Sequence, residues 1–510
     1  MQTSDRHAHT PDVSFDGGDL DCGNGLLLLI RKHIDPLDRG GLLEILSTDT
    51  SVKEDLPAWC RMTKNELVSM VENGRQRSYL VCKGSLGERA ASAPKQTAAA
   101  GVQLVKQVVI PASLPAPQPA PAIAPFSVMG IGSWPRPRWM LAATHDHMEG
   151  RLADADFQAT ADDAVRLVVE AQLRAGVDVV TDGEQRRDSY SSFVAGILDN
   201  CQLIPLTDLL PLVDDPEDFE RELRALDVPA GDVRHPAVFG PLGRSKPIAV
   251  HELEFVKTLT QKPVKIALPG PYLLTRTMWM ECISDRAYET RETLATDIVR
   301  VLREELAFLL AGGAALVQFD EPVLSEVVFT GAKTQRSFMC GALSEKGDPA
   351  VELAFARDLL NAVVAGFPHE RTAVHMCRGN WTADESTCLA GDYAPLVDTL
   401  AAMNVGTYFL ELCTPRAGEM EILKKLPGDR RIGVGVVNQK LENVEAVGTI
   451  VAKLEQAAKI FGPSRVLVNP DCGFATFADN PVTSAAVAEK KLAHMVEAAR
   501  IMRERYPNNH

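Results

Sequence analysis

The chain has 510 residues, a formal charge of −15, 45% hydrophobic residues and 24% charged residues. That length suits about two to four domains, and the negative balance argues against nucleic acid or an anionic membrane as a general partner. The longest apolar run near the start, Leu26 to Ile30, is too short for a signal-peptide core or a membrane span, so a cytoplasmic location is expected. In that compartment the 10 cysteines point to thiols, ligands or catalysts rather than structural disulfides.

In chain order, residues 1–13 are polar and read as a disordered tail. Residues 14–87 predict a compact unit. A strand lies around Val13-Ser14-Phe15 and a helix runs from about Leu26 to Asp35. A strand follows over Leu42 to Ser47, then a helix through Val52 to Trp59 capped by Asp49 or Ser51. Strands over Glu66 to Glu72 and Ser78 to Cys82 complete it. The order β-α-β-α-β-β makes a two-layer α+β sandwich. Cys60 and Cys82 are expected in its core, where cysteine is commonly found. Residues 88–125 form a Pro/Ala-rich linker that lets the two folded parts move. The more apolar stretch Val102 to Ile110 within it is expected to form a strand or helix.

From Phe126 onward, short apolar strands alternate with long helical stretches. The strands are Val128 to Ile131, Val177 to Val180, Val264 to Leu268, Ala315 to Phe319, Thr372 to Met376, Tyr408 to Leu410, Ile432 to Val437 and Val466 to Asn469. Eight of them, alternating with helices over residues 126–510, predict a (β/α)8 barrel of the TIM type within the α/β class. Leu206 to Val250 is a long excursion expected to cover or edge the barrel.

Functional groups in such barrels gather at the C-terminal ends of strands. His375-Met376-Cys377 ends one strand, and side chains on a strand alternate faces, so His375 and Cys377 project together. An imidazole and a thiolate on one face make half of a zinc site. Glu411 and Cys472 close two other strands and supply the remaining half, giving a His/Cys/Glu/Cys centre. Gly132-Ser133, Gly183-Glu184 and Asp320-Glu321 converge on the same rim. His145 and His147 follow the first strand and are candidates for proton transfer. Arg186 and Arg187 could pair with an anionic substrate group or with neighbouring acids, and Cys413 could face the site. Cys201, Cys282, Cys340 and Cys388 read as packing residues.

These runs resemble the cobalamin-independent methionine synthase family, in its zinc-bearing C-terminal barrel and that barrel's short relatives, the epoxyalkane:coenzyme M transferases among them. The markers are Ile131-Gly132-Ser133-Trp134-Pro135, Asp182-Gly183-Glu184, Leu268-Pro269-Gly270-Pro271 and Gln318-Phe319-Asp320-Glu321-Pro322. Further on come His375-Met376-Cys377-Arg378-Gly379-Asn380-Trp381, Glu411 and Asn469-Pro470-Asp471-Cys472-Gly473-Phe474. The resemblance implies that His375, Cys377, Glu411 and Cys472 bind Zn2+. It also implies that Glu184, Asp320 and the Gly132-Ser133 turn hold the amino-acid part of a homocysteine-like thiol. Glu411, the hardest ligand, is the one expected to yield to the substrate sulfur, which as a zinc thiolate attacks a methyl donor. The family's folate-stacking Trp has no in-register match here, and the residues before position 126 are expected to leave no room for the second barrel of the long enzymes. The donor therefore stands open among folate, a methyl-corrinoid protein and a small methylated compound. Coenzyme M-type alkyl transfer or lysis, and thiol binding for sulfur relay without turnover, are the alternative readings.

Leu20 to Gly84 resembles the TusA/SirA-like sulfur-carrier family, through Leu26 to Lys32, Asp49 to Cys60 and Tyr79 to Gly84. That family opens its first helix with Cys-Pro-x-Pro, whose cysteine carries a persulfide. Here Cys22-Gly23-Asn24-Gly25 keeps the cysteine and replaces both prolines. A thiol at a helix N-terminus is biased toward thiolate, whereas loss of proline removes the rigid helix start. Cys22 as a persulfide carrier, and a docking domain that binds sulfur-transfer proteins without carrying sulfur, both remain open.

Overall fold

The computed structural model describes residues 7–20, 26–89, 104–148, 150–205, 234–280, 284, 287–329, 336–339, 342–345, 347–478 and 482–507. The chain divides into two compact units. The first is Met1–Lys106 with His145–Ala153 and Met280–Arg286; the second is Gln107–Thr144, Asp154–Trp279 and Ala287–His510.

The first unit carries β1 (Val13–Asp16), α1 (Leu27–Ile34), β2 (Leu42–Ser47), α2 (Val52–Met62), β3 (Glu66–Asn73) and β4 (Gln76–Cys82). The sheet order is β1-β2-β4-β3, with β1 parallel to β2 and the other pairs antiparallel. Leu43 and Ile45 alternate onto the helix-covered face, where they bury against Ile30, Ile34, Val52 and Leu56. Cys60 joins that core, and Cys82 packs with Leu42 and Leu80 in a second cluster. Ser51 is the N-cap residue of α2 but makes no side-chain cap bond. Asp49 instead accepts hydrogen bonds from the Ser51 amide at 2.8 Å and hydroxyl at 2.7 Å.

The second unit holds a hairpin, β5 (Asp199–Pro205) with β6 (Arg234–Gly243), and then β7 (Lys265–Pro269) and β8 (Leu316–Asp320). A short hairpin, β9 (Arg336–Met339) with β10 (Ala342–Glu345), precedes β11 (Thr372–Met376), β12 (Thr407–Leu410), β13 (Arg431–Gly435) and β14 (Val466–Asn469). Six of these make one parallel sheet in the order β14-β13-β12-β11-β8-β7. Parallel bridges Val128–Val468, Met129–Val179 and Val180–Val264 join its two edges through the two remaining strand positions, closing an eight-membered barrel. Those two positions pair only by single bridges. The Asp178 carboxylate accepts the Val128 N–H at 2.8 Å, taking a donor that a regular ladder would use.

Both faces of each parallel strand are covered, so the strands read as apolar runs. Met129, Val179, Leu316, Ala373, Phe409 and Leu467 meet in one cluster drawn from strands all round the barrel, which marks them as inward-pointing. By alternation, Gln318 and Asp320 also point inward from β8, His375 and Cys377 from β11 and its end, and Glu411 and Asp471 from the ends of β12 and β14. The described part of the Pro/Ala-rich stretch, residues 104–125, carries neither helix nor strand. Pro111, Pro115, Pro117, Pro119, Pro121 and Pro125 lack amide donors and suit neither element. Instead the Gln118 amide donates to Leu310 O at 3.0 Å, Arg371 donates to Gln118 O at 2.5 Å, and Ile123 packs against the inward cluster. Residues 206–233, most of the long excursion, lie outside the described residues.

One buried ion pair ties the loop after the second strand position to the helix Val250–Leu259. Arg187 donates to both Glu252 oxygens, at 3.1 and 2.6 Å, with both side chains 1% exposed. Removing one partner strands the other charge in the interior. Glu252→Ala is therefore expected to destabilise the protein by about 3–5 kcal/mol in chemical denaturation, and replacing both residues with apolar ones should recover most of the loss.

Candidate metal centre

His375 and Asp320 stand directly across from one another in the register of β11 and β8. Their side chains meet at the rim, where His375 Nδ1 lies 2.9 Å from Asp320 Oδ1. A carboxylate only accepts, so Nδ1 carries the hydrogen and the Nε2 lone pair is left for a metal. Nε2 is 3.3 Å from the Asp471 carbonyl. Burial pulls the imidazole pKa down, but the hydrogen bond and charge of Asp320, with Cys377 nearby, raise it overall.

Two positions along, Cys377 turns to the same side, and Cys472 arrives from the loop after β14. Donor atoms of His375, Cys377 and Cys472 all lie within 4.8 Å of one another, and all three residues are buried. The two sulfurs are 3.7 Å apart. Two thiolates on one tetrahedral zinc, each at about 2.3 Å, would stand about 3.8 Å apart, whereas a disulfide needs about 2.05 Å. The donor types, their convergence and this spacing fit a zinc ion. Asn380 clamps the two cysteine loops, donating to Gly473 O at 2.7 Å and Thr476 Oγ1 at 2.6 Å.

The fourth expected ligand, Glu411, is buried at the same rim, but its carboxylate is otherwise engaged. Oε2 accepts the Arg378 amide at 2.7 Å, and Oε1 pairs with Arg416 at 2.9 Å. Burial raises its pKa, Arg416 opposes that, and the nearby Cys377 adds to it. Arg416 is itself held by Glu385 at 2.9 Å. Asp471 takes the amides of Leu412 and Cys413 on Oδ1, both at 2.9 Å, tying the end of β14 to the end of β12. Burial first, then the charge of Glu411, pushes the Asp471 carboxyl up to about 8.

A pocket of about 320 Å3 opens onto the three donors, with Ser133, Glu184 and Asp320 in its wall. Tyr190 and Thr476 complete its polar lining. Glu184 reaches it from a left-handed turn, with φ of 72° at Gly183 and 55° at Glu184. Asp182 accepts the Glu184 amide at 3.0 Å and stabilises that turn. Gly132 is needed because a Cβ there would come within 2.1 Å of Glu184 Oε1. Glu184 Oε2 is buried and has no hydrogen-bond partner among the described residues. Burial pushes the Glu184 carboxyl up to about 7, Arg187 opposes this, and Asp320 adds to it. Ser133 docks on the cysteine loop, its carbonyl accepting the Phe474 amide at 3.0 Å and its hydroxyl the Ala475 amide at 3.3 Å.

Other residues singled out from sequence lie elsewhere. Glu321 turns away to bind the Tyr272 and Leu273 amides at 2.8 and 2.9 Å, capping the helix Pro271–Met278. Arg186 pairs with Asp162, and Arg187 with Glu252. Cys413 is half-buried, with its thiol pKa raised by burial, and is not in the donor group. His145 and His147 are in the helix Arg138–Met148 and do not line the pocket. Cys201 and Cys388 are buried, while Cys22, Cys282 and Cys340 lie outside the described residues. Sequence reasoning gave no role to Arg378, Arg416 or Asp471; Arg378 and Asp471 bind groups remote in sequence, while Arg416 pairs with the nearby Glu411. It also passed over Lys265 and Gln318, although a lysine inside an apolar parallel strand was a usable signal.

Among known proteins, the chain is 28% identical over 379 residues to a methionine synthase of Sulfurisphaera tokodaii, covering 74% of this chain and 93% of that protein. It is 27% identical over 378 residues to the methionine synthase of Saccharolobus solfataricus, covering 73% and 94%. The structure of a B12-independent methionine synthase from Shewanella sp. W3-18-1, in complex with selenomethionine, shares the fold. It superposes with a TM-score of 0.58 at 23% identity, covering 76% of this chain and 100% of that one. Residues 126–203 and 228–501, most of the chain, match the family described as cobalamin-independent synthase, catalytic domain. With that extent of match, the chain belongs to the cobalamin-independent methionine synthase family.

Proposed function

We propose that the barrel is a zinc-dependent S-methyltransferase that moves a methyl group onto homocysteine or a closely similar amino-acid thiol. The observation that carries this reading is the buried His375, Cys377 and Cys472 donor group, with its 3.7 Å sulfur spacing, opening onto the pocket. His375, Cys377 and Cys472 would hold the ion, and Glu411 is the candidate for its fourth position when no thiol is bound. Bound there, zinc supplies the Lewis acidity that keeps a substrate thiol deprotonated at neutral pH.

The remaining work falls to the chain. Glu184 Oε2, buried and unpartnered among the described residues, suits the ammonium group of an amino acid. Asp320 presents a second carboxylate in the same wall. The Ser133 turn, fixed against the cysteine loop, shapes the end of the pocket that would take the substrate carboxylate. Arg416 and the Arg378 amide give the Glu411 oxygens other partners, to which the carboxylate can stay bound when a substrate sulfur takes the fourth position. In the transfer, a sulfur–carbon bond forms as the bond between that methyl carbon and its donor breaks, and positioning the two in line is the barrel's main contribution. The names of the relatives support methionine formation, and the selenomethionine held by the Shewanella protein supports a product-shaped pocket. We assign the first unit to the sulfur-carrier type, its β-α-β-α-β-β order supporting that reading and a link to sulfur metabolism.

Zinc-edge X-ray absorption on the full chain tests the centre. A resting shell with two sulfurs should gain a third when homocysteine is added; a metal-free protein, or a shell that no thiol alters, would sink the reading. Glu184→Gln should raise KM for the amino-acid thiol by about tenfold to a hundredfold, the worth of a hydrogen bond to a charged group. In the unmutated enzyme, Glu184 takes up a proton as pH falls through about 7 and loses its hold on an ammonium group. KM should therefore rise toward acid, and that dependence should flatten in Glu184→Gln. For the first unit, Cys22→Ser should abolish persulfide labelling by a sulfur-donating protein. Labelling that survives the substitution would contradict the carrier assignment.

A further inference from the structure

Beneath the metal centre, polar side chains continue downward into the barrel. Lys265 points inward from β7 and is fully buried. Its ammonium donates to Gln318 Oε1 at 2.6 Å. The other end of the same amide, Nε2, donates to Asp320 Oδ1 at 2.6 Å. That oxygen also receives His375 Nδ1–H at 2.9 Å. Four side chains on three neighbouring strands thus form one hydrogen-bonded line that ends on a metal-ligating imidazole. Below it Lys265 Nζ lies 4.4 Å from the centre of the Phe409 ring, a further contact that fixes its position.

The chemistry of the line is directional. An ammonium only donates and a carboxylate only accepts. A side-chain amide has one accepting and one donating end, so it joins the two in one orientation alone; turned over, its oxygen would face Asp320. With Gln318 locked, Asp320 Oδ1 is held as an acceptor in front of His375. The imidazole then keeps its hydrogen on Nδ1 and its lone pair on Nε2. Burial pulls the Lys265 pKa down to about 7, opposed by Asp320 and Glu184; when protonated, Lys265 also places a positive charge under a site crowded with carboxylates and thiols.

We propose that Lys265 and Gln318 are positioning residues for the metal centre, acting in series through Asp320 to fix the tautomer and orientation of His375. This inference rests on the zinc reading of the site. Such outer partners are worth about tenfold to a hundredfold in metal affinity. The test is the zinc Kd of the full chain, measured by chelator competition, with the His375 tautomer followed by 15N NMR on histidine-labelled protein.

Gln318→Met keeps the volume and loses both bonds; Gln318→Glu keeps the shape but offers Asp320 no donor. Each should weaken zinc binding about tenfold to a hundredfold and disturb the Nδ1–H signature. Lys265→Met removes the donor that orients Gln318, so it should weaken zinc binding and disturb the Nδ1–H signature in the same direction as the Gln318 variants. A purely structural lysine would lower thermal stability and leave both zinc Kd and the tautomer signature unchanged. Because the residues act in series, the Lys265→Met/Gln318→Met double variant should bind zinc no worse than Gln318→Met alone. Folded Gln318 variants with unchanged zinc Kd would overturn the proposal, as would losses that add in the double variant. A natural chain that binds no zinc overturns the zinc reading itself; one that binds zinc alongside indifferent variants overturns this inference only.

Discussion

The two-residue period of a parallel strand inside a closed barrel is the constraint on which the rest depends. Every second side chain points into a space that holds no helix and little water, and each must be apolar or have a partner. The lower positions satisfy this with Met129, Val179, Leu316, Ala373, Phe409 and Leu467. The upper positions satisfy it with one another: Gln318 with Lys265, Asp320 with His375, Asp471 with the amides after β12. A slip of one residue in β11 would turn His375 and Cys377 out toward the surrounding helices and leave Met376 facing the pocket. The candidate metal centre is therefore a property of strand register before it is one of ligand chemistry.

This period also explains what could be read from sequence. Parallel strands covered on both faces are short apolar runs, and eight of them stood out between helical stretches. Their ends are where a barrel exposes polar groups, so His375, Cys377, Glu411, Cys472, Glu184 and Asp320 could be brought to one rim without coordinates. The details that stayed hidden depend on pairings across long sequence distances. Nothing local to Glu411 announces that the Arg378 amide takes one of its oxygens, and nothing local to Glu321 announces that it caps the helix starting at Pro271. The Glu184 carboxylate occupies space left by Gly132 on another segment. The apolar part of the Pro/Ala-rich stretch, Val102 to Ile110, suggested an element, yet its described residues form neither helix nor strand, and from Pro111 onward the prolines remove the donors an element would need. Its described part is fixed by isolated bonds such as those at Gln118.

The site also concentrates negative charge where water is scarce. Glu184, Asp320, Glu411 and Asp471 converge with two thiols that ligate metals as thiolates. Burial pushes the Glu184 carboxyl up to about 7 and the Asp471 carboxyl up to about 8. A carboxyl whose pKa is raised by folding takes up protons that the unfolded chain has already released. Its contribution to stability therefore falls as pH rises from the unfolded value, about 4, through the folded value. Around neutrality the folded barrel carries that cost, and Arg187, Arg378, Arg416 and Lys265 offset part of it.

Those cations do not simply neutralise the site. Arg187 is shared between Glu252 and, at 3.7 Å, Glu184, and Arg416 between Glu411 and Glu385. Lys265 is kept one amide away from Asp320 by Gln318. None of these cations lines the pocket. A lysine in direct contact with Asp320 would compete with His375 for the same carboxylate oxygen and would offer a second positive centre to the sulfurs. Spacing it through an amide keeps the attractive charge and leaves the donor atoms open to a divalent ion. A ligand that binds only the folded state adds its binding energy to folding. On the proposed zinc reading, the charge left uncompensated around the donors is what would give a metal ion its purchase on the fold, and removing it with nearer cations would weaken the centre while stabilising the apo-protein.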